Sequence, residues 1–497
     1  MRWALVVLIA FPASAEPVFV DDAAGLPLAH VYSGGWEHFV GGGVAVFDCN
    51  GDARPELFAA GGEGAAHLFI NRSETGGALR FDLGAIPELT HVTGAYPLDI
   101  DSDGNLDLAV LHVGANVLLR GEGDCRFTDA TATWGLPVSD DWTTSFTATW
   151  EKGRDWPTLF FGNYVDRHDP DGPFEACDDS LLVRLNPPDL AETETISPGY
   201  CALSALFTDW RRTGERELRI SNDRHYYVRG GYEQMFRLNP LRERESWPHI
   251  SLWGMGIASR DITGDGLPEV MMTSMGDQLL QINRGASFEN APYALGTYAQ
   301  RPFLGDDGRP STGWHAEFGD VDNDGDADLF IAKGNVDQMP SNAIHDPNNL
   351  LIQQPDGTFA EYADKAGIAT AERSRGAAIV DLNLDGRLDL VVMNRRAPME
   401  LWRNVTENDS NWAEIEPIIT RSNRRAVGSW VELRANGKVQ AREVTVGGGH
   451  AGGAAVPLHF GLGSAQAAEV RVIWPDGSVS EWQPVEINGC TRIAKAP

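Results

Sequence analysis

Basic side chains are scarce in this chain: 40 lysines and arginines stand against 71 aspartates and glutamates, and the formal net charge is -31. An acidic surface of that size repels phosphate, which argues against nucleic acid as a partner. Long hydrophobic runs are missing as well. Beyond the first fifteen residues nothing approaches the roughly 20 apolar residues that a membrane-spanning helix needs. The catalytic signatures GxSxG and HExxH and the phosphate loop are absent in the contexts they require. Cysteines number only five, Cys49, Cys125, Cys177, Cys201 and Cys490, with no catalytic thiol pattern among them.

What is present begins with a leader. Met1-Arg2-Trp3 precedes the apolar stretch ALVVLIAF and then Pro12, Ala13, Ser14 and Ala15. This predicts a signal peptide over 1–15, cleaved after Ala15, because the run is too short for a transmembrane anchor. The mature protein is expected to be secreted or periplasmic. In that oxidising setting cysteines pair, although sequence alone does not fix the connectivity. Cys177 and Cys201 bracket a long insertion, and a bridge there contributes roughly 3 kcal/mol in the chain-entropy model. Cys49 with Cys125 is the other candidate pair.

One pattern recurs seven times. A short apolar run enters a nine-residue loop and a second apolar run leaves it, with loops starting at residues 48, 99, 150, 209, 261, 320 and 381. Five copies place oxygen-bearing side chains at positions 1, 3, 5 and 9: Asp48, Asn50, Asp52 and Glu56; Asp99, Asp101, Asp103 and Asp107; Asp261, Thr263, Asp265 and Glu269; Asp320, Asp322, Asp324 and Asp328; Asp381, Asn383, Asp385 and Asp389. Position 7 adds a backbone carbonyl from Asn105, Leu267, Asp326 or Arg387. Oxygen-only donor sets suit a hard cation such as Ca2+, and about five sites are expected. Glycine at position 6 (Gly104, Gly266, Gly325, Gly386) permits the turn; the first loop has Ala53 there and is expected to bind more weakly. Without metal, seventeen carboxylates at these positions repel one another, which couples folding to the ion.

Two copies have lost the pattern. Aligning the entering strands puts Trp150 at position 1 of the third loop, and Arg211 at position 3 of the fourth after Asp209. Both are expected to be structural repeats without metal. An isolated DxDxDG string is as readily a solvated turn, but five on one period are not. An EF-hand needs flanking helices, whereas these flanks (GVAVF, ELFAAGG, LDLVVMN) are short and β-rich. Repeats of 50 to 60 residues with several short strands indicate propeller blades. The fold class expected is all-β, a seven-bladed β-propeller over 16–408.

The unit resembles the FG-GAP/VCBS calcium blade, also found in the head of integrin α subunits. A second recurring phrase supports the resemblance: FVDDAAGL at 19–26, FTDATATWGL at 127–136 and FAEYADKAGI at 359–368. Its first copy stands at the mature N-terminus, so the ring is expected to close there. From 409 to 497 the acidic loops stop. Short alternating strands with turns at Asn436-Gly437 and Pro475-Asp476-Gly477 form a separate small all-β domain. Its HFGLG at 459–463 and WPDGS at 474–478 resemble the ASPIC/UnbV domain, which follows a calcium propeller in the cartilage acidic protein family. The glycine- and alanine-rich stretch 447–456 aligns with nothing.

Equivalent positions in the seven repeats locate a possible active site. Five residues before each loop stand Gly43, Gly94, Ser145, Ser204, Gly256, His315 and Gly376; three before, Ala45, Tyr96, Thr147, Leu206, Ala258, Glu317 and Ala378. His315 and Glu317 share one strand face, next to Trp314. Either they fix a loop by hydrogen bonding, or with Arg375 they line a ligand pocket at the channel mouth as proton donor and acceptor. Two functions follow: a binding or adhesion-type module for an extracellular or periplasmic protein or glycan, non-enzymatic, or a carbohydrate-active enzyme resembling a polysaccharide lyase. Fold alone does not choose between them.

Overall fold

A computed structural model describes residues 16–170, 176–223, 230–298, 311–335 and 345–495. The leader stretch 1–15 lies outside the described residues. Seven antiparallel sheets form a ring. The first strands of successive sheets are Val44–Phe47, Val92–Leu98, Thr143–Thr149, Ala202–Thr208, Gly254–Arg260, Gly313–Gly319 and Ser374–Val380. Each packs against the next, and the seventh packs back against the first. The chain is a seven-bladed all-β propeller. Nearly every residue of these inner strands is buried on both faces, which explains their continuous apolar or small-residue reading.

Six blades take their four strands consecutively from the chain. The seventh takes three, Ser374–Val380, Asp389–Asn394 and Glu400–Asn404, and borrows its outer strand from Phe19–Asp21. Phe19 pairs with Asn404 and Asp21 with Trp402, antiparallel. The N-terminal segment thus closes the circle and covers an otherwise free sheet edge. Both expected disulfides are formed, Cys49–Cys125 and Cys177–Cys201, while Cys490 is free and exposed.

The C-terminal region builds two small sheets. One joins Leu458–Gly463, Asn411–Ile418 and Cys490–Ala494; the other joins Lys438–Glu443, Trp430–Ala435, Ala468–Ile473 and Gln483–Pro484. The Asn436-Gly437 turn has both residues at positive φ, 49° and 80°, between paired Ala435 and Lys438, as a two-residue hairpin requires. Val470, Val472 and Trp474 face a core shared with Ile415, Val431 and Phe460.

The stretch from 446 to 454 does not stay in that domain. It enters the propeller axis and winds past the inner strands in turn. Ala148 N donates to Val446 O (3.3 Å), Gly448 N to Ala205 O (2.8 Å) and Gly449 N to Ile257 O (2.7 Å). Farther along, Ala95 N donates to Ala451 O (3.1 Å) and Val46 N to Gly453 O (3.0 Å). The small residues five places before each loop now have a reason. A Cβ on Gly43 or Gly94 would stand 1.8 Å from Ala451 O. From the opposite end the segment at 39–43 enters, and Gly41 N donates to His450 Nε2 (3.2 Å).

Two expectations follow. Deleting residues 16–26 removes the closing strand with the buried Phe19 and should lower stability by more than about 3 kcal/mol, read by chemical denaturation. Gly94→Ala should cost roughly 1–3 kcal/mol through overpacking against Ala451 and speed limited proteolysis near 446–454.

Candidate metal centres

The five acidic loops share one hydrogen-bond scheme. The position-1 carboxylate accepts the amide of position 6: Ala53 to Asp48 (2.8 Å), Gly104 to Asp99 (3.1 Å), Gly266 to Asp261 (2.9 Å), Gly325 to Asp320 (2.8 Å) and Gly386 to Asp381 (2.7 Å). The position-5 carboxylate accepts the amide of position 7, as Leu267 to Asp265 and Asp326 to Asp324, both 2.8 Å. The position-9 carboxylate reaches back to the amide of position 2: Cys49 to Glu56 (2.9 Å), Ile100 to Asp107 (2.6 Å), Ile262 to Glu269 (3.0 Å), Val321 to Asp328 and Leu382 to Asp389 (both 2.9 Å). The backbone therefore fixes the orientation of the carboxylates at positions 1, 5 and 9, and the position-9 acids Asp107, Asp328 and Asp389 are held through both oxygens.

Positions 4 and 6 both take left-handed backbone. Position 6 holds glycine in four loops and Ala53 (φ 70°) in the first; position 4 is filled by Ser102, Asn323 and Leu384 at φ 56–60°, and by Gly51 and Gly264. The strain of roughly 1–2 kcal/mol at a residue such as Leu384 is held by the surrounding bonds. At position 4 residue type signals this conformation in Gly51, Gly264 and Asn323 but not in Ser102 or Leu384.

In two loops, Asp99, Asp101 and Asp107, and Asp320, Asp322 and Asp328, the ligand atoms lie within 4.8 Å of one another. Such acidic clusters can hold a metal ion. Cys49, Glu56 and Cys125 also converge, but their sulfurs are bonded to each other. The remaining loops offer Asn50, Thr263 or Asn383 at position 3, neutral oxygens that a hard cation also accepts. Asp99 Oδ1 and Asn383 Oδ1 are buried without any hydrogen-bond partner. A desolvated oxygen with no donor is costly, and an ion at the loop centre would satisfy both.

Burial, with the neighbouring carboxylates adding to it, raises the pKa of these acids. Asp99 and Asp381 are pushed up to about 6, Glu269 and Asp324 to about 7, Glu56 and Asp107 to about 8, and Asp320, Asp328 and Asp389 well above the usual range.

Of the two degenerate loops blade four keeps the frame, and in both an arginine stands against a buried carboxylate. In blade four Asp209 still accepts Gly214 N (2.7 Å), and positions 4 and 6, Arg212 and Gly214, remain left-handed. Glu217 at position 9 is instead held by Arg244 Nε (2.8 Å) and Trp210 Nε1 (2.5 Å). In blade three Glu151 binds Arg184 Nε and Thr158 Oγ1, both at 2.6 Å. A fixed guanidinium neutralises each buried carboxylate, Glu217 at position 9 in blade four and Glu151 at position 2 in blade three.

The C-terminal domain sits on the loop face. Asn423 N donates to Ser102 Oγ (3.1 Å), Lys438 Nζ to Gly325 O (3.0 Å) and Gly463 N to Asn323 O (2.8 Å), while Thr208 Oγ1 donates to Glu443 (2.7 Å). A Cβ on Gly461 would meet Asp320 Oδ2 at 1.9 Å.

The channel candidates do meet, but around the inserted segment rather than an open mouth. His450 N donates to His315 Nδ1 (3.1 Å), and His315 Nε2 lies 3.3 Å from Glu317 Oε2, which also accepts Ile379 N (3.1 Å). Trp314 is fully buried, its Nε1 donates to Gly334 O (2.5 Å), and the Arg375 guanidinium lies 4.1 Å over its ring. Arg375 spends its donors on Phe39 O and Gly334 O. The expectation of one pocket formed by all four is corrected: inserted backbone fills the axis beside Trp314 and Arg375, whereas His315 and Glu317 also line a cavity of about 230 Å³ under the small domain. The signal was available as a glycine-rich run opposite six small residues, but only the fold pairs them.

Carboxyls whose pKa is raised by folding bind protons more tightly in the folded chain. The contribution of these carboxyls to metal-free stability therefore falls as pH rises from about 5 to about 8, while buried His30, His38, His112, His450 and His459, with lowered pKa values, act in the opposite sense only below about 6.5. In EDTA the melting temperature should rise on acidification from pH 8 to about pH 6.5, the reverse of ordinary acid denaturation. A flat or falling profile in differential scanning fluorimetry would contradict the assignment of these carboxylates to desolvated clusters.

Comparison with known proteins agrees with this architecture. The FG-GAP-like repeat model matches residues 48–110, 261–331 and 320–392, and the ASPIC and UnbV model matches 419–496. Human cartilage acidic protein 1 is 27% identical over 164 residues, 32% of this chain and 24% of that protein; the Xenopus tropicalis protein of that name is 29% identical over 111 residues, 22% and 17%. The matched region spans about a quarter or less of these relatives' length. Similar solved structures include BBS1N in complex with ARL6DN (TM-score 0.46, 10% identity, 77% of this chain and 96% of that one). Another is the extracellular domain of the putative hybrid two component system BT4673 from B. thetaiotaomicron (TM-score 0.43, 9% identity, 92% and 57%). The chain carries FG-GAP-like repeats and an ASPIC and UnbV domain, and it is a distant homologue of cartilage acidic protein 1.

Proposed function

We propose that this protein is an exported, calcium-binding propeller that serves as a binding or adhesion-type module. The propeller runs over 16–408 and the small domain over 409–497. Calcium occupies the loops starting at Asp48, Asp99, Asp261, Asp320 and Asp381, and stiffens a surface that engages an extracellular or periplasmic protein or glycan.

The observation that carries the reading is the common hydrogen-bond scheme of the five loops, with ligand atoms gathered within 4.8 Å in the loops at Asp99 and Asp320 and with Asp99 Oδ1 and Asn383 Oδ1 left without donors. Hard donors in such number favour calcium over softer metals. Two disulfides support export, as does the leader. No helix among the described residues is long and apolar enough to cross a membrane. His315, Glu317, Trp314 and Arg375 act in this reading as positioning residues for the inserted segment, because their polar atoms are engaged with it or with neighbouring backbone.

EDTA-stripped protein should take up about five calcium ions per chain in native mass spectrometry, and regain at least about 10 °C in melting temperature on calcium addition. Asp320→Asn with Asp328→Asn should remove one ion. Failure to take up calcium, or equal melting with and without it, would refute the metal assignment.

A further inference from the structure

At the end of the ring opposite to the acidic loops, three separate segments bring metal-ligating side chains together. His38 ends the short 3-10 turn Trp36–His38, Glu63 follows the strand Glu56–Ala59 of blade one, and His91 immediately precedes Val92–Leu98 of blade two. That last strand is 7 residues long and its far end runs into the loop at Asp99, which puts His91 roughly 20 Å from that loop.

His38 is the centre of the group. Its residue is 1% exposed, and Nδ1 and Nε2 are both buried without a hydrogen-bond partner, a state that no other histidine among the described residues shares. Leaving two imidazole nitrogens desolvated and unserved is costly. The ring is fixed by close backbone: a Cβ on Gly34 (φ 140°) would stand 2.8 Å from His38 Nδ1, and His38 O accepts Arg395 Nε (3.0 Å). Burial lowers its pKa to about 4, so the ring is neutral near pH 7, the state that ligates a metal.

His38 Nδ1 lies 3.8 Å from Glu63 Oε1, too far for a hydrogen bond. Two ligand atoms that each stand about 2.1 Å from one ion are separated by roughly 3.4 to 4 Å. The His38 and His91 ring centroids are 5.5 Å apart, close to the roughly 5 Å expected of two imidazoles on one tetrahedral ion. Gly35 N donates to Glu63 Oε1 (2.8 Å) and keeps the carboxylate beside the ring. Glu63 and His91 are exposed, so rotation of their side chains closes the set on an ion at His38 Nδ1. The nearby guanidinium groups turn elsewhere: Arg395 and Arg396 donate to Gly34 O (3.2 and 3.1 Å), and Arg167 pairs with Glu37 and Asp140 (both 2.9 Å).

We propose that His38, His91 and Glu63 bind one divalent transition ion of the imidazole-preferring class, with zinc as its representative. Two imidazole nitrogens and one carboxylate make an open three-ligand zinc site in which water fills the fourth position, whereas the oxygen-only loops suit a hard cation. The ion serves the buried Nδ1 and ties the turn at 36–38 to blades one and two. The site stands apart from the acidic loops and does not depend on what they bind.

Metal-stripped full-length protein is re-saturated with calcium, to fill hard-cation sites, and titrated with Zn2+ by calorimetry and with Co2+ by visible absorption. One Zn2+ per chain should bind and raise the melting temperature by several degrees, and Co2+ should give the visible bands of a tetrahedral site with nitrogen ligands. His91→Ala and Glu63→Gln, both at exposed positions, should each weaken binding at least about tenfold. His38→Asn should abolish it, and if that variant does not fold the two exposed variants carry the test. His249→Ala, which removes an exposed histidine elsewhere, should leave binding unchanged. No zinc uptake by the calcium-saturated protein, or equal uptake in wild type, His91→Ala and Glu63→Gln, would overturn the proposal. So would zinc uptake that is lost only when Asp320→Asn is combined with Asp328→Asn, since the ion would then sit in an acidic loop.

Discussion

Seven inner strands turn free backbone edges toward one axis, and buried amides and carbonyls there must find partners. The molecule answers this constraint from within. Residues 446–454 of the small domain and the segment at 39–43 enter from opposite ends, meet at Gly41 and His450, and pair with inner strands around the ring. The consequences extend outward. Gly43 and Gly94 must lack a side chain, His315 must reach the inserted backbone, and the small domain cannot leave the loop face without emptying the axis.

The same logic governs the loops on that face. Buried carboxylates need either a cation or a fixed positive side chain. Five blades keep an oxygen cage, while blades three and four substitute Arg184 and Arg244 against Glu151 and Glu217. The frame survives the exchange because backbone amides, rather than the ion, set the turn, as Asp209 and Gly214 show. A loop without the full set of acidic positions is thus compatible with an intact ring in which an arginine balances the nearby carboxylate.

Much of this was legible in sequence because it is local and periodic. Acidic positions 1, 3, 5 and 9, glycine at 6 and β-rich flanks each follow from the geometry of one loop, and the N-terminal phrase FVDDAAGL marked the closing strand now paired with Glu400–Asn404. The left-handed turn at Ser102 and Leu384 was not legible, since those residue types do not announce it. Nor was the pairing of Arg244 with Glu217, 27 residues away.

The sequence by itself determined the repeat number, the strand-loop-strand unit, the oxygen donors and the alternation of the small domain, because each depends on neighbours a few residues apart. Only the tertiary structure decided that the glycine-rich stretch at 447–456 enters the axis and that His315 and Glu317 hold backbone brought in from other parts of the chain. These depend on packing between segments far apart in the chain, and the cost of burying an unpaired polar group acts only once the fold has brought them together.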